Sequence, residues 1–262
     1  MGSLCAKDFM IGYQDAQQKV VSPWHHIPLK TSVDDEFNMV VEIPRYTKRK
    51  WEISTKVENN PIAQDVHDNG ELREYAGPLY WNYGALPRTF ESPGSTKTPS
   101  QLELVDVVDD RSEFEGDGDP LDVVEIGDKT FKVGEIVRVK VLGVLAMIDS
   151  SEVDWKLIAI SIGDARAADL TLDNIDEKMP GVVSGILEWF RWYKTPDGKK
   201  LNIFGKAGKP FDRDKALEVI SETHEDWKKL VNGEDKNAKS CKMWVPKDFD
   251  PEKADKDIGQ AT

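Results

Sequence analysis

Apolar and polar residues alternate over short stretches in the first two thirds of the chain and recur at helical spacing after that. Residues 37–43 are rich in apolar residues and stop at Pro44, which predicts a strand carrying Glu42 among apolar neighbours. Lys50, Trp51, Glu52 and Ile53 predict the next strand. Lys50 and Glu52 share a face there, because side chains alternate along extended backbone. Asn69-Gly70 signals a turn, and Leu72-Arg73-Glu74-Tyr75 reads as a short strand after it. Residues 77–87 are rich in aromatics, including Tyr80, Trp81 and Tyr83. Residues 91–99 hold Ser, Thr, Pro and Gly and read as an inserted loop. β-Rich runs at 102–108 and 123–126 flank an acidic stretch. Residues 131–145 predict one or two strands. Asp149 reads as a strand end, 150–153 as a turn and 155–162 as a strand, with Asp154 and Lys156 on one face.

The period changes after Ile162. A short helix is predicted over 172–179, and Pro180 suits the first turn of a longer one over 181–193. Val183, Ile186, Leu187 and Phe190 form its apolar side. In 212–230, Ala216, Leu217, Ile220, His224, Trp227 and Leu230 recur at helical spacing. Asp212 or Asp214 caps this helix, and Lys228 and Lys229 suit its negative end. His224 lies on the apolar stripe and reads as a core residue. The charged tail from Lys247 is expected to be mobile. The expectation is one mainly β unit with helices over 1–262, its core at about 24–230 and a C-terminal extension at 231–262.

Composition narrows the function. A formal net charge of -13 argues against a polynucleotide partner, since phosphate backbones attract Lys and Arg surfaces. It leaves room for a small phosphate that arrives with metal. Cys5 and Cys241 show no zinc spacing and suit a reducing compartment. No apolar run of about 18 residues suggests a membrane span. The first ten residues lack the basic and apolar regions of a signal peptide, so the cytosol is the expected compartment. The His25-His26 pair has no carboxylate motif beside it and is not read as a ligand. Gly205–Lys209 lacks the spacing of a phosphate loop.

The acidic stretch Glu115-Gly-Asp-Gly-Asp-Pro-Leu-Asp122 carries the chemistry. Pro120 fixes its own φ and makes Asp119 extended. Asp117 and Asp119 then point the same way, and Asp122 converges with them only if the chain bends. Gly116 and Gly118 make that bend cheap. Carboxylates crowded between apolar strands repel unless a cation joins them, and a hard divalent ion suits oxygen ligands. A solvated acidic turn is the plain alternative. An EF-hand loop is excluded, because Leu121 and Asp122 stand where it needs Asp or Asn and then Gly. Glu42, Glu52, Asp149 and Asp154 lie on similar segments, as do the cations Lys50, Arg73, Lys156 and Lys194. If they converge, the site holds several divalent ions and an anionic phosphate compound.

Asp117-Gly-Asp119-Pro-Leu-Asp122-Val matches the signature D-x-D-P-x-D-V. With Val41-Glu42-Ile-Pro-Arg45, Lys50-Trp-Glu52, Asn82-Tyr83-Gly84, Asp149, Asp154-Trp-Lys156 and Tyr193-Lys194, the chain resembles the soluble family I inorganic pyrophosphatases of eukaryotic type. The resemblance covers about 24–230. It implies a closed five-stranded OB-like barrel with flanking helices and extended terminal segments, a homodimer, and Mg²⁺-dependent hydrolysis of pyrophosphate to two orthophosphates. Asp117, Asp122 and Asp154 would hold the first Mg²⁺, and Asp122 would reach a second. Asp149 with Asp154 would hold an ion arriving with substrate, and Glu42 and Glu52 a further one through water. Asp119 would take the proton of a metal-bridged water. Lys50, Arg73, Tyr83, Lys156, Tyr193 and Lys194 would hold phosphate oxygens.

One position departs from that family. Its members usually carry a tyrosine four residues before the Tyr of Asn-Tyr-Gly, and here that place is Leu79. Tyr80 is expected to replace it, with Tyr75 the weaker substitute; alternatively Leu79 merely packs. A non-enzymatic scaffold of the same fold is another reading, but it could have lost Asp119 or Lys50, and both are present. A phosphohydrolase acting on nucleotides would need a base site, and no nucleotide motif is visible.

Overall fold

Strong alternation, frequent β-branched residues and turn residues between runs give a chain built mainly from strands. The computed structural model describes residues 9–67, 69–105, 112–237, 242–247 and 249–251. An N-terminal arm contributes β1 (Met10–Ile11), β2 (Tyr13–Gln14) and β3 (Val20–Val21). β4 (Glu36–Ile43) follows, then β5 (Thr47–Arg49), β6 (Trp51–Ile53) and β7 (Ile62–Gln64). β1, β7 and β6 form a small sheet, and β2 pairs with β3. β8 (Glu74–Leu79) pairs with β5 and runs further than the predicted 72–75.

The main sheet adds β9 (Asn82–Ala85), β10 (Glu115–Gly116), β11 (Asp122–Glu125), β12 (Ile136–Asp149), β13 (Glu152–Ser161) and β14 (Ile203–Phe204). Its order is β10-β13-β11-β9-β4-β12-β14, and β13 also pairs with β12. The pairings β13–β11–β9–β4–β12–β13 therefore return to their start. β11 and β13 run parallel, and the other pairs on this circuit are antiparallel.

Both faces of these strands are buried. Val40 and Ile158 pack in one apolar cluster, and their neighbours Val41 and Leu157 pack in a second. Strands covered on both sides read as nearly continuous apolar runs. A register shift between Val41 and Ile43 marks a bulge at Glu42, which re-aims that carboxylate. Gly84 allows β9 to lie against β4, since a Cβ there would stand 1.9 Å from the Val40 carbonyl oxygen.

The helices are α1 (Ile175–Lys178), α2 (Val182–Trp192) and α3 (Arg213–Val231). Gly181, at φ 80, is the N-cap of α2, so Pro180 lies ahead of the cap and not in the first turn. Asp212 caps α3 by accepting from the Lys215 backbone N–H at 3.0 Å. The predicted stripe buries Ala216, Ile220, Trp227 and Leu230. His224 is half-buried, stacks on Trp227 and meets the Arg88 carbonyl with Nδ1 at 2.7 Å. No helix among the described residues is long and apolar enough to cross a membrane.

Three expectations change. Residues 102–105 are a turn and not a strand: backbone N–H groups of Leu102 and Glu103 bond back to Thr98 and Ser100, and the Leu102 side chain anchors the turn in the core. Residues 106–108 lie outside the described residues. The alternation at 131–145 resolves into one 14-residue strand that starts only at Ile136 and continues to Asp149. Ahead of the tail Trp244 bonds to Thr55, and within it Phe249 packs on His25, His26 and Trp227, so aromatic contacts hold its start. Residues 252–262 lie outside the described residues.

Candidate active site

The β12–β13 hairpin supplies the floor of a cavity of about 670 Å³. Asp149 ends β12; Asp154 and Lys156 alternate along β13, while Trp155 between them packs the opposite way against Phe211. Parallel pairing sets Asp122 beside Lys156. Ahead of it, the chain bends as its glycines and proline require, with Gly118 at φ 84. The Asp117 carboxylate accepts from the Asp119 backbone N–H at 2.9 Å, which holds the bend. Backbone bonds from Gly118 to the Glu91 carbonyl and from Glu91 to the Asp119 carbonyl fasten it to residue 91.

Glu42 and Glu52 face the same cavity from β4 and β6, and the Glu42 carboxylate accepts from the Ile53 backbone N–H at 2.7 Å. Lys50 Nζ contacts Glu52 at 2.6 Å and Asp65 at 2.8 Å, and Arg73 Nη1 reaches the same Asp65 oxygen at 2.7 Å. Lys156, 2% exposed, bonds Asp122 and Asp154 and donates to the Tyr83 hydroxyl at 3.0 Å. Lys194 bonds Asp149, and the Tyr193 hydroxyl donates to the same carboxylate at 3.2 Å. Every residue anticipated for the site therefore lines one cavity: Glu42, Lys50, Glu52, Arg73, Tyr83, Asp117, Asp119, Asp122, Asp149, Asp154, Lys156, Tyr193 and Lys194.

Two residues escaped the sequence reading. Glu91 stood at the edge of a stretch read as an inserted loop, yet it is 3% exposed. One of its oxygens accepts from the Trp155 backbone N–H at 3.0 Å, and the other is buried without a partner among the described residues. Glu91, Asp117 and Asp154 each offer a carboxylate oxygen within 4.8 Å of the others. That trio holds Glu91 where the expected one, Asp117, Asp122 and Asp154, has Asp122. Asp65 is the second, and its only sequence signal is a position after β7. Tyr75, the weaker substitute for the missing tyrosine, lines the cavity. Tyr80 does not: it is 51% exposed and stacks edge-on against Tyr46 and Trp81. β8 carries Leu79 into the core, and Tyr80 follows at a bend on the outside.

Burial and mutual repulsion shape the charges. Desolvation, with Asp154 next, raises Asp117 well above the ordinary carboxylate range. Desolvation and then Asp117 do the same to Glu91, and desolvation and then Asp122 to Glu42. Asp119 is pushed up to about 7 by burial and the Glu52 charge. Asp154 also reaches about 7, since burial outweighs the pull of Lys156. Burial alone would lower Lys156, but Asp122 and Asp154 override it and keep it protonated. Burial would raise Asp149, but Lys194 and Tyr193 hold it low. Acids that resist ionisation beside fixed ammonium groups make a site for cations and a polyanion together.

Comparison with known proteins agrees. The family model described as "Inorganic pyrophosphatase" matches residues 39–228. A soluble inorganic pyrophosphatase 6, chloroplastic, of Arabidopsis thaliana is 44% identical over 86% of this chain and 71% of its own length. The Homo sapiens inorganic pyrophosphatase is 42% identical over 86% of this chain and 75% of its own. Among solved structures, type I inorganic pyrophosphatase of Toxoplasma gondii superposes with a TM-score of 0.81 at 42% identity, covering 88% of this chain and 97% of that one. The chain belongs to the inorganic pyrophosphatase family and is a hydrolase.

Proposed function

We propose that this cavity hydrolyses pyrophosphate to two orthophosphates with several Mg²⁺ ions. The observation that carries the reading is the convergence of seven anticipated carboxylates with Lys50, Arg73, Lys156 and Lys194 on one cavity. Its donor set is all oxygen, as Mg²⁺ prefers. The carboxylate oxygens of Glu91, Asp117 and Asp154 lie within 4.8 Å of one another, near enough to share one ion. Asp117, Asp122 and Asp154, with Glu91, would hold activating ions; Asp149 with Asp154, and Glu42 with Glu52, would hold others. Bound there, Mg²⁺ would neutralise phosphate charge and acidify the attacking water.

The chain's own groups do the rest. Asp119, with its pKa near 7, is poised to orient that water and take its proton. Lys50 and Arg73, fixed by Asp65, present a point charge and a rigid fork to phosphate oxygens. Tyr83, Lys156, Tyr193 and Lys194 add donors toward the charge that develops on the departing phosphate. The returning strand pairings support a closed OB-like barrel beneath the site. A homodimer has a fitting surface in Tyr46 and Tyr80, 60% and 51% exposed and stacked edge to face. The relatives are named chloroplastic and mitochondrial as well, and a cytosolic location is our reading for this chain.

Phosphate release from pyrophosphate and from ATP, each with Mg²⁺ and with EDTA, tests this. Release from pyrophosphate that needs Mg²⁺ and far exceeds release from ATP is expected. Equal turnover of ATP, or turnover that survives EDTA, refutes it.

A further inference from the structure

Three tyrosines line the cavity, and two have protein partners: the Tyr83 hydroxyl accepts from Lys156, and the Tyr193 hydroxyl donates to Asp149. Among the described residues, the Tyr75 hydroxyl bonds to none. Its ring is nonetheless fixed. It packs edge-on against Trp189 at 5.0 Å and against Tyr193 at 5.8 Å. Tyr75 follows Arg73 by two residues near the start of β8, so extended backbone sends both toward the same side, and both line the cavity.

The surroundings say what this hydroxyl meets. Lys50 and Lys156 both act on it electrostatically, as do Asp122 and Glu52. Burial is the largest influence and raises its pKa well above that of an ordinary tyrosine. At neutral pH it therefore keeps its proton and acts as a donor. A donor with no acceptor among the described residues, in the field of two ammonium groups, is completed by an anion those groups also attract.

We propose that Tyr75 is a substrate-binding residue whose hydroxyl donates to a pyrophosphate oxygen held between Lys50 and Lys156. The assignment rests on the function proposed above. It also accounts for the exposure of Tyr80, since the hydroxyl for this corner comes from the start of β8 and not from its far end.

Tyr75→Phe removes the hydroxyl and keeps the ring against Trp189 and Tyr193. In the full chain we expect the calorimetric affinity for methylenediphosphonate with Mg²⁺ to fall about tenfold or more, as loss of a hydrogen bond to a charged group should cause. The kcat/KM for Mg-pyrophosphate should fall by about ten- to a hundredfold on the same grounds. The Tm should stay within about 2 °C of wild type, since no packed atom but the oxygen is lost. Tyr80→Phe should leave all three unchanged. Wild-type analogue affinity and kcat/KM in Tyr75→Phe overturn the assignment. So does a loss confined to Tm, which would mark Tyr75 as packing only. The two readings fail separately: a wild-type protein that binds the analogue but releases no phosphate refutes the hydrolytic function, whereas a silent Tyr75→Phe in an active enzyme refutes this assignment alone.

Discussion

The Asp65 carboxylate holds Lys50 at 2.8 Å, through the same oxygen that Arg73 reaches at 2.7 Å. One acid just after β7 thus sets the spacing of two cations in the cavity. Asp65→Asn keeps the shape and loses the charge. We expect kcat/KM for pyrophosphate to fall about tenfold or more, the usual scale for a charge-assisted bond. Arg73→Lys should also be poorly tolerated, because an ammonium cannot replace the fork. Steady-state kinetics decides, and full activity in either variant contradicts the arrangement.

Asp119→Asn should lower kcat by about 10²–10⁴-fold, the range for loss of a general base. Mg²⁺ binding should survive, because the compact oxygen trio is Glu91, Asp117 and Asp154. Asp122→Asn should instead weaken Mg²⁺ binding along with turnover. Titration with Mg²⁺ beside saturated-metal kinetics separates the two. An Asp119→Asn protein that loses metal but turns over normally reverses the roles.

The raised carboxylates fix the sign of a pH effect in metal-free protein. Glu42, Glu91, Asp117, Asp119 and Asp154 all stand above their ordinary pKa values, the last two near 7. Each favours folding in its protonated form, so that stability is present below the unfolded pKa and is lost as pH rises through the folded one. Metal-free protein should therefore lose stability between about pH 4 and above 7, and saturating Mg²⁺ should remove most of that loss. Glu91→Gln should raise the metal-free Tm at pH 8 and shrink the Mg²⁺-induced increase. Thermal unfolding with and without EDTA checks both. An unchanged Mg²⁺ response in Glu91→Gln excludes Glu91 as a ligand.

His25 gives the opposite slope. Its Nδ1 accepts from Trp227 Nε1 at 2.8 Å, so Nε2 carries the proton and donates to the Trp244 carbonyl at 3.1 Å. Burial lowers its pKa to about 3. The neutral ring therefore contributes stability that is present above about pH 6.5 and lost as pH falls toward 3. His25→Gln offers a similar donor and acceptor without the titration. Its unfolding free energy should fall less steeply between pH 6 and 4, by up to about 1.4 kcal/mol per pH unit. Denaturant titrations at several pH values measure this, and parallel slopes would rule it out.

Particular residues show what was legible before the structure. The helix at 212–230 was readable because a cap, a stripe and terminal lysines agree, and the Asp117–Asp122 bend because glycine and proline act locally. Leu102 misled, since alternation alone does not distinguish a strand from a turn pinned by Thr98 and Ser100. Glu91 looked like loop polarity; only the Trp155 backbone and the acidic bend, brought up by tertiary packing, reveal it as a site group. The same holds for Tyr80 and Tyr75. Counting along the chain favoured the nearer tyrosine, but β8 extends to Leu79 and leaves Tyr80 outside. The bulge at Glu42 carries no sequence signal at all.

The β12–β13 hairpin closes through Ser150 and Ser151, so Asp149, Asp154 and Lys156 are brought together by neighbouring chain alone. Asp122 joins Lys156 across a separation of 34 residues by parallel pairing, a contact that demands closure of a much longer loop. A refolding chain should thus acquire the hairpin early and the acidic bend late. Cations that need both halves can bind only after the slow step. Mg²⁺ should then prolong the lifetime of the folded protein by retarding unfolding and leave the refolding rate nearly unchanged. Stopped-flow traces in the two directions, with and without Mg²⁺, would show one limb of the chevron moving and the other standing still.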